Sequence, residues 1–179
     1  MEYNGRSVSM CPMGKDSFGP VVIHEGGGHG FGRLLDEYRY YAAELPSDDK
    51  NSIKSWRSKD PYYGYNLDLT GDRNKVHWAH YFDRPGYEAV SMYEGGCLYE
   101  YGVWRPEYIS CMEDNRAYYN APSREAIVRR IMRASGKTFN MEDFISKDKI
   151  RSEKGAPQTR TDYVTEAFVP FAPPIRVER

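Results

Sequence analysis

The stretch "VVIHEGGGHGFGRLLDEY", residues 21–38, has a glutamate directly after one histidine and a second histidine five positions further on. The common zinc-binding pattern H-E-x-x-H separates its histidines by four residues, so that both imidazoles reach one metal from the same face of a helix. In a regular helix, His24 and His29 would point about 140° apart, because each residue turns the chain by about 100°. A plain α-helix therefore cannot bring both histidines to one ion.

A local change of helix type would remove this mismatch. In a π-bulge the backbone hydrogen bond runs from residue i to i+5, which returns residues five apart to one face, and such bulges are frequent at functional sites. Three consecutive glycines, Gly26–Gly28, allow the distortion but make the segment a poor helix former, at up to about 1 kcal/mol each relative to alanine. Something else must hold the segment together, and metal ligation is one candidate.

Two other interpretations of the glycine-rich stretch remain. Histidines in such loops are often hydrogen-bonded structural residues, and a phosphate- or dinucleotide-binding loop also follows an apolar run such as "VVI". However, no G-K-[ST] follows and the pattern G-x-G-x-x-G is not met, which favours the zinc site. The second histidine pair, His77 and His80 in "HWAH", is interpreted as packed or surface residues rather than as a metal site.

A zinc site needs a third protein ligand and, for catalysis, a fourth position open to water. Gly32 can turn the chain sharply after His29, and either Asp36 or Glu37 can then return a carboxylate to the metal. Glu25 stands where a zinc protease keeps the general base that acts on the water.

The composition of the 179-residue chain indicates one domain whose function resides in a local site. The net charge of −1 gives no reason to expect nucleic acid as a partner. No run approaches the roughly 18 apolar residues of a transmembrane segment, and the N-terminus lacks the pattern of a signal peptide. The three cysteines, Cys11, Cys97 and Cys111, fit no C-x-x-C zinc site and allow at most one disulfide.

Hydrophobic spacing and turn residues give a coarse secondary structure. Four helices are predicted. The first begins near Pro20 and runs into the histidines, and the second covers 33–44. The third covers 123–136, with Ser123 as its N-cap and a buried stripe at 127, 128, 131 and 132, and the fourth begins after Asn140, which caps it. An extended edge strand is predicted for 7–13, an irregular segment for 46–76, a helical turn for 76–82, and short strands or an open loop for 93–115. A linker is predicted for 151–162, followed by a strand and a proline-rich tail.

Three blocks of sequence together resemble the IgA-peptidase family of bacterial zinc metallopeptidases, particularly its gut-Bacteroidetes branch. They are "HEGGGHGFGRLLDEY" at 24–38, "YEGGCLYEYGVWRPEYISCM" at 93–112 and "NAPSREAIVRRI" at 120–131, which occur in the family's order. The resemblance covers about residues 7 to 150 and implies a metzincin-like zincin core of the α+β class, mainly helical in this chain.

The resemblance also implies a division of the chain and a location. Residues 1–150 would form the metallopeptidase core, and residues 151–179 a linker and the start of a C-terminal β-domain. Only 23 residues precede His24, too few for the twisted sheet of a zincin, so we expect a fragment with most of the N-terminal sheet absent. Family members are typically exported, which implies an extracytoplasmic or secreted location.

Carried over to matching positions, the resemblance makes His24 and His29 zinc ligands, Glu25 the base, Asp36 the third ligand and Met112 the residue of a methionine turn beneath the metal. The spacing departs from a metzincin, whose ligands lie four and six residues apart, whereas here the separations are five and seven. Glu37 and Glu94 are therefore alternative third ligands, Glu94 because zinc peptidases similar to dipeptidyl peptidase III combine H-E-x-x-G-H with a glutamate far downstream.

Three further residues are candidates for contacts with substrate. Tyr118 or Tyr119 could donate a hydrogen bond to the oxyanion of a tetrahedral intermediate, although packing is the more common role in a chain with 16 tyrosines. Arg105 could bind a substrate carboxylate, or could equally stack on Trp104 or brace the loop.

The sequence thus predicts a zinc-dependent endopeptidase with one zinc ion and a protein or peptide substrate. The main alternative is a non-catalytic module that keeps the fold and binds peptides or glycans through a tyrosine-rich cleft. Hydrolysis of a non-peptide amide at the same site is a third, weaker alternative.

Overall fold

The computed structural model describes residues 2–3, 6–11 and 18–152 and has the predicted mixed α+β composition. A small hairpin of β1 (Glu2–Tyr3) and β2 (Arg6–Ser7) precedes α1 (Phe18–Val22), which continues directly into a π-helix (Ile23–Gly32). The remaining elements, in chain order, are β3 (Arg39–Glu44), α2 (Ser47–Lys59), a 3₁₀ turn (Ala79–Tyr81), β4 (Tyr93–Gly96), β5 (Leu98–Arg105), α3 (Cys111–Asp114), α4 (Ala121–Ala134) and α5 (Met141–Lys147).

A three-stranded sheet has the order β3-β5-β4. β4 and β5 form an antiparallel hairpin, whose tight turn requires positive φ at Cys97 and Leu98. β3 runs parallel to β5 with two irregularities in the register. Because β5 is central, β3 and β4 are the edge strands of this sheet, as far as the described residues show.

Three clusters of buried side chains form the core. The largest lies between the 3₁₀ turn and the helices α4 and α5, and includes Trp78, Tyr81, Tyr87, Val90, Ala121 and Phe144. A second packs α2 against the sheet through Leu45, Ile53, Leu67 and Val103. The third, made of Leu34, Met112 and Ala126, lies beside the π-helix and connects the histidine segment with α3 and α4.

The helix predicted for 33–44 is wrong. Arg33 has a left-handed backbone conformation, with φ 52° and ψ 36°, which ends the π-helix, and no regular structure follows until β3. The second half of the segment instead pairs with β5, with Arg39 opposite Leu98 and Tyr41 opposite Tyr99. Just before it, Tyr38 O accepts from Leu98 N, and Asp36 O accepts from Cys97 N in the turn that precedes β5. Pairing with a distant strand thus overrides the helical spacing of the apolar residues.

The irregular segment predicted for 46–76 contains a helix in its first part. α2 has two acidic residues in its first turn, Asp48 and Asp49, and two basic residues in its last, Arg57 and Lys59, which favours a helix through the helix dipole. Ile53 is the only buried residue that α2 contributes, so no hydrophobic stripe marked this helix in the sequence. From residue 60 to 76 the chain does form turns, as predicted.

The remaining sequence predictions have mixed outcomes. The helical turn near 76–82, the strands within 93–115 and the helix capped by Asn140 are confirmed. The N-cap of α4 is Asn120 rather than Ser123. The side chain of Asn120 accepts a hydrogen bond from the backbone N–H of Ser123. The face of α4 that is buried includes Ala121, Glu125 and Ala126, whereas Ile131 of the predicted stripe is half exposed.

The edge strand predicted for 7–13 is not formed at residues 8–11, which have no regular structure. Residues 12–17, and the linker, strand and tail predicted for 153–179, lie outside the described residues. None of the described helices is long and apolar enough to cross a membrane. The cysteines Cys11, Cys97 and Cys111 are all free thiols.

Candidate metal centre

The π-helix brings the two histidines to the same side of the chain. Its hydrogen bonds run from residue i to i+5, so residues five apart lie one above the other. His24 Nε2 and His29 Nε2 are 3.2 Å apart, with the two rings nearly perpendicular. The predicted π distortion is confirmed, although it extends over ten residues rather than one turn.

Asp36 is returned to the histidines by the turn that follows the π-helix. After the left-handed Arg33, Leu34 N donates to Gly28 O, and Asp36 O accepts from the N–H of Cys97 in the turn between β4 and β5. The Oδ1 atom of Asp36 then lies 3.0 Å from His24 Nε2 and 3.0 Å from His29 Nε2. Three potential ligand atoms thus converge from two segments of chain.

Backbone carbonyls fix the orientation of both imidazoles. His24 Nδ1 lies 2.9 Å from Cys111 O, and His29 Nδ1 lies 2.8 Å from Leu34 O. A carbonyl oxygen only accepts hydrogen bonds, so each Nδ1 must carry the proton. In the neutral tautomers both Nε2 atoms then present lone pairs to each other and to the Asp36 carboxylate.

Such a triangle of acceptors requires a positive charge at its centre, either a proton shared among the three atoms or a metal ion. A tetrahedral zinc with bonds of 2.0–2.1 Å separates its ligands by about 3.3 Å, close to the observed 3.0, 3.0 and 3.2 Å. Histidine ligands whose second nitrogen is held by a backbone carbonyl are also typical of metal sites. The donor set therefore fits a zinc ion.

The proximity of these side chains shifts the pKa values of Asp36 and His29. Burial acts to raise the pKa of Asp36, but in the metal-free protein the hydrogen bonds that protonated His24 and His29 donate, and their positive charge, hold that pKa far below its usual range. Burial acts to lower the pKa of His29, yet the hydrogen bond and charge of Asp36, with the Leu34 carbonyl, raise it. His29 and Asp36 keep 28% and 24% of their side-chain area exposed, so the centre can be reached from solvent.

Glu25 lies next to this centre. One of its carboxylate oxygens and one ring nitrogen from each of His24 and His29 all lie within 4.8 Å of one another. Asp36 is closer to both imidazoles than this and is the better third ligand by distance. Glu25 is therefore in a position to act on a water molecule near the ligands rather than to complete the ligand set.

Met112 lies directly beneath the histidine segment and is completely buried. A β-carbon on Gly28 would overlap its sulfur atom, and one on Gly27 would come within 2.5 Å of the Tyr119 hydroxyl. The two glycines therefore serve close packing beneath the π-helix as well as its backbone distortion. The position of Met112 agrees with the expected methionine turn, whose role stays a prediction.

Glu37 does not join the histidines. Its buried carboxylate accepts hydrogen bonds from Asn66 Nδ2 at 2.7 Å, Ser110 Oγ at 2.7 Å and Asn120 Nδ2 at 2.6 Å. Burial raises its pKa to about 7, against the effect of these hydrogen bonds and of the Arg105 charge. With the bond from Glu37 N to Met112 O, it ties the Asp36 segment to α3 and to the cap of α4.

The other alternative ligand and the substrate-contact candidates also lie elsewhere. Glu94 accepts a hydrogen bond from Gly102 N within the β-hairpin. Arg105 is buried and donates to the carbonyls of Glu94 and Gly95, which supports the bracing role. Tyr118 is buried and donates to Glu107 at 2.6 Å.

Tyr119 donates to the Ile23 carbonyl at 2.5 Å and lies under the π-helix, so packing accounts for its position. His77 and His80 contact different carboxylates, Asp68 at 2.7 Å and Glu125 at 2.9 Å, and do not form a joint site.

Sequence reasoning missed Tyr38 as a residue of the centre. Its ring stacks on His24 with a centroid distance of 6.3 Å and an interplanar angle of 25°. Burial first, and then the charge of Asp36 and a hydrogen bond to it, raise the pKa of Tyr38. The one signal in the sequence was its place two residues after Asp36, since alternate residues of an extended chain share a face.

No protein-family model matches the chain, and no curated protein shows significant similarity to it. The resemblance to the IgA-peptidase family therefore rests on the three sequence blocks and stays a prediction.

Proposed function

We propose that the protein is a zinc-dependent endopeptidase with a metzincin-like core. The observation that carries this proposal is the convergence of His24 Nε2, His29 Nε2 and Asp36 Oδ1 within 3.0–3.2 Å, while both Nδ1 atoms are committed to backbone carbonyls. Three acceptors held in this way favour a cation, and two nitrogens with one oxygen suit zinc.

His24, His29 and Asp36 would hold the ion, and the partly exposed side of the centre would leave a fourth position for water or substrate. When bound, zinc acts as a Lewis acid that acidifies water and polarises a carbonyl group. An aspartate carboxylate of ordinary pKa, about 3.9, is ionised over the physiological pH range, so Asp36 is available as a ligand.

Glu25 would serve as general base and then as general acid. Its carboxylate takes one proton from the attacking water as the water oxygen bonds to the carbonyl carbon of the peptide. The C–N bond then breaks, and Glu25 returns the proton to the departing amine nitrogen. The glutamate thus ends each cycle ionised, as it began.

The protein or peptide substrate, the zincin core and the extracytoplasmic location follow from the resemblance and belong to this proposal. Support for the core comes from the turn after the second histidine, which returns Asp36, and from Met112 beneath the π-helix. The π-helix itself accommodates the one additional residue between the histidines, the main departure from the metzincin spacing.

Glu25→Gln tests the mechanism. The zinc-loaded variant should keep its metal and lose hydrolysis of a random peptide library by at least about a hundredfold. Glu94→Gln is the matched control, because a glutamine there still accepts the bond from Gly102 N, and we expect it to keep both metal and activity.

Full activity of Glu25→Gln would contradict the proposed base. Loss of zinc in Glu94→Gln would instead identify Glu94 as the third ligand. Zinc binding by the wild type without turnover of any peptide would favour the non-catalytic binding module.

A further inference from the structure

A cavity of about 450 Å³, which we call the Tyr108 pocket, opens between the loop at 86–89, the loop at 107–109 and the residues Arg151 and Ser152. Its volume lies within the range of roughly 300–1,000 Å³ that is typical of pockets for small ligands. Its lining residues include neither the histidines nor the acidic residues of the metal centre. The Tyr108 pocket is therefore a separate candidate binding site within the described part of the chain.

One part of the lining is aromatic. The rings of Tyr93 and Tyr108 meet nearly edge to face, with their centroids 5.8 Å apart. The buried guanidinium of Arg105 lies 5.7 Å from the centre of the Tyr93 ring and helps to hold that ring in place. Tyr108 nevertheless keeps 62% of its surface exposed. A ring that is held by a neighbour and still exposed offers a rigid apolar surface to a ligand.

Another part of the lining carries an acid and a base, Glu88 and Arg151, on either side of Gly86. Gly86 N donates to Glu88 Oε1 at 2.7 Å, and a β-carbon on Gly86 would come within 2.5 Å of Arg151 Nη1. Arg151 also donates to three backbone carbonyls, so its guanidinium has a fixed position. A carboxylate has a second oxygen and a guanidinium five N–H groups, so both side chains keep hydrogen-bonding capacity for a ligand.

This combination of groups suits a neutral sugar. The face of a sugar ring that carries C–H groups packs on an aromatic ring, and its hydroxyls both donate and accept hydrogen bonds. Neighbouring hydroxyls therefore match a carboxylate and a guanidinium that lie close together. A charged ligand would be attracted by one of the two groups and repelled by the other. A purely apolar ligand would remove water from both groups without replacing its hydrogen bonds.

The Tyr108 pocket lies close to the metal centre. Tyr108 precedes Cys111 by three residues, so their Cα atoms are at most about 11 Å apart. The carbonyl of Cys111 holds the His24 ring, and Ser110 between them donates to Glu37. A short glycan on a peptide bound at the metal can therefore reach the Tyr108 ring.

We propose that the Tyr108 pocket binds a neutral sugar, which packs on Tyr108 and bonds Glu88 and Arg151 through its hydroxyls, and that this sugar belongs to the glycan of a glycoprotein substrate. The second part rests on the proposed function and names its substrate class, whereas sugar binding itself needs no metal. Cleavage would then take place beside glycosylated residues.

The first test measures sugar binding to the metal-free full chain by saturation-transfer NMR. The probes are methyl glycosides of glucose, galactose, N-acetylglucosamine and N-acetylgalactosamine. At least one should bind, and Tyr108→Ala should weaken that binding about five- to tenfold, because the stacking surface is lost. Tyr108→Phe keeps the ring and should bind as the wild type does. Tyr101→Ala is the matched control, since Tyr101 is an exposed tyrosine on β5 outside the pocket, and it should also bind normally.

The second test distinguishes the glycan of a glycoprotein from a free sugar. A peptide that the zinc-loaded protein cleaves is prepared with and without the bound sugar, attached to a threonine beside the cleaved bond. We expect kcat/KM to be about five- to tenfold higher for the glycosylated peptide, mainly through a lower KM, because the sugar adds binding energy. Tyr108→Ala should abolish this preference, and Tyr101→Ala should keep it.

A folded wild type that binds none of the glycosides, or binding that Tyr108→Ala leaves unchanged, would overturn the inference and leave the proposed function intact. Sugar binding with equal cleavage of both peptides would assign the pocket to free sugars and overturn the glycoprotein assignment. Sugar binding by a protein that holds no zinc and cleaves no peptide would overturn the proposed function, and the glycoprotein assignment with it, while supporting the pocket.

Discussion

A β-carbon on Gly28 would overlap the sulfur atom of Met112, so the π-helix and α3 are in contact where no side chain fits between them. Gly28 lies between the two histidines, and the neighbour of Met112 in α3, Cys111, provides the carbonyl that holds His24 Nδ1. The close packing of the π-helix on α3 therefore fixes the position of the His24 ring.

Gly28→Ala should destabilise the protein by about 1–3 kcal/mol, because the added methyl group must displace Met112 or the helix. Gly26→Ala is the matched control, since a β-carbon there meets nothing within 4 Å. It should leave the free energy of unfolding unchanged or raise it slightly, because alanine favours helix over glycine. Urea denaturation of metal-free protein measures both changes.

Combining Gly28→Ala with Met112→Ala isolates the contact. The smaller side chain at position 112 leaves room for the new methyl group, so the double variant should lose less stability than the sum of the single losses. If the losses of free energy of unfolding were additive, or if Gly26→Ala and Gly28→Ala had equal effects, the contact between Gly28 and Met112 would not determine how closely the π-helix packs on α3.

Tyr38→Phe should weaken zinc binding by about tenfold, the lower end of the effect of residues that orient a ligand. Phenylalanine keeps the ring against His24 and removes only the hydroxyl that bonds Asp36. Tyr41→Phe, on the other face, should leave zinc affinity unchanged. Competition with a chromogenic chelator measures the affinities; equal values for wild type and Tyr38→Phe would mean that the hydroxyl does not orient Asp36.

Glu37→Gln should be tolerated, whereas Glu37→Ala should cost about 3 kcal/mol of folding free energy by leaving buried donors unpaired. A glutamine can accept from Asn66 and Asn120 through Oε1 and donate to Ser110 through Nε2. Urea denaturation measures the free energy of unfolding of both variants. A loss in Glu37→Ala but not in Glu37→Gln would show that the buried donors need an acceptor at this position.

The wild type and Glu37→Gln should also differ in how their free energy of unfolding depends on pH. The pKa of Glu37 is raised to about 7 in the folded state from an ordinary 4.5, so the folded wild type binds more protons than the unfolded chain within that interval. Wild-type stability should therefore fall as pH rises from 5 to 7, by up to about 1.4 kcal/mol per pH unit. The glutamine variant lacks the contribution of Glu37 but keeps those of His29 and Glu107, whose pKa values are also raised, so its stability should fall less steeply. Parallel curves for metal-free wild type and variant would contradict the raised pKa of Glu37.

The sequence was sufficient to predict the π distortion and the approach of His24 to His29, because both depend on residues close together in the chain. The histidines, the glycines between them and the turn at Gly32 all lie within the 13 residues from His24 to Asp36. The α+β class and the choice of Asp36 over Glu37 came from the family resemblance. The Glu37 network could not be predicted, since its partners Asn66, Ser110 and Asn120 come from three distant segments.

β3 and α2 were missed for opposite physical reasons. The segment at 33–44 has apolar residues at helical spacing, but long-range pairing with β5 makes it extended. α2 is polar on almost every face and buries only Ile53, so it has no periodic signal.

Metal content per purified chain tests the central claim most directly. We predict one zinc per chain in the wild type, lost or weakened at least about a hundredfold in both His29→Ala and Asp36→Ala, because each removes one of three ligands. His80→Gln is the matched control, since His80 bonds Glu125 and a glutamine can still donate there, and it should keep the zinc. A folded wild type without zinc, or full zinc binding by Asp36→Ala, would contradict the account.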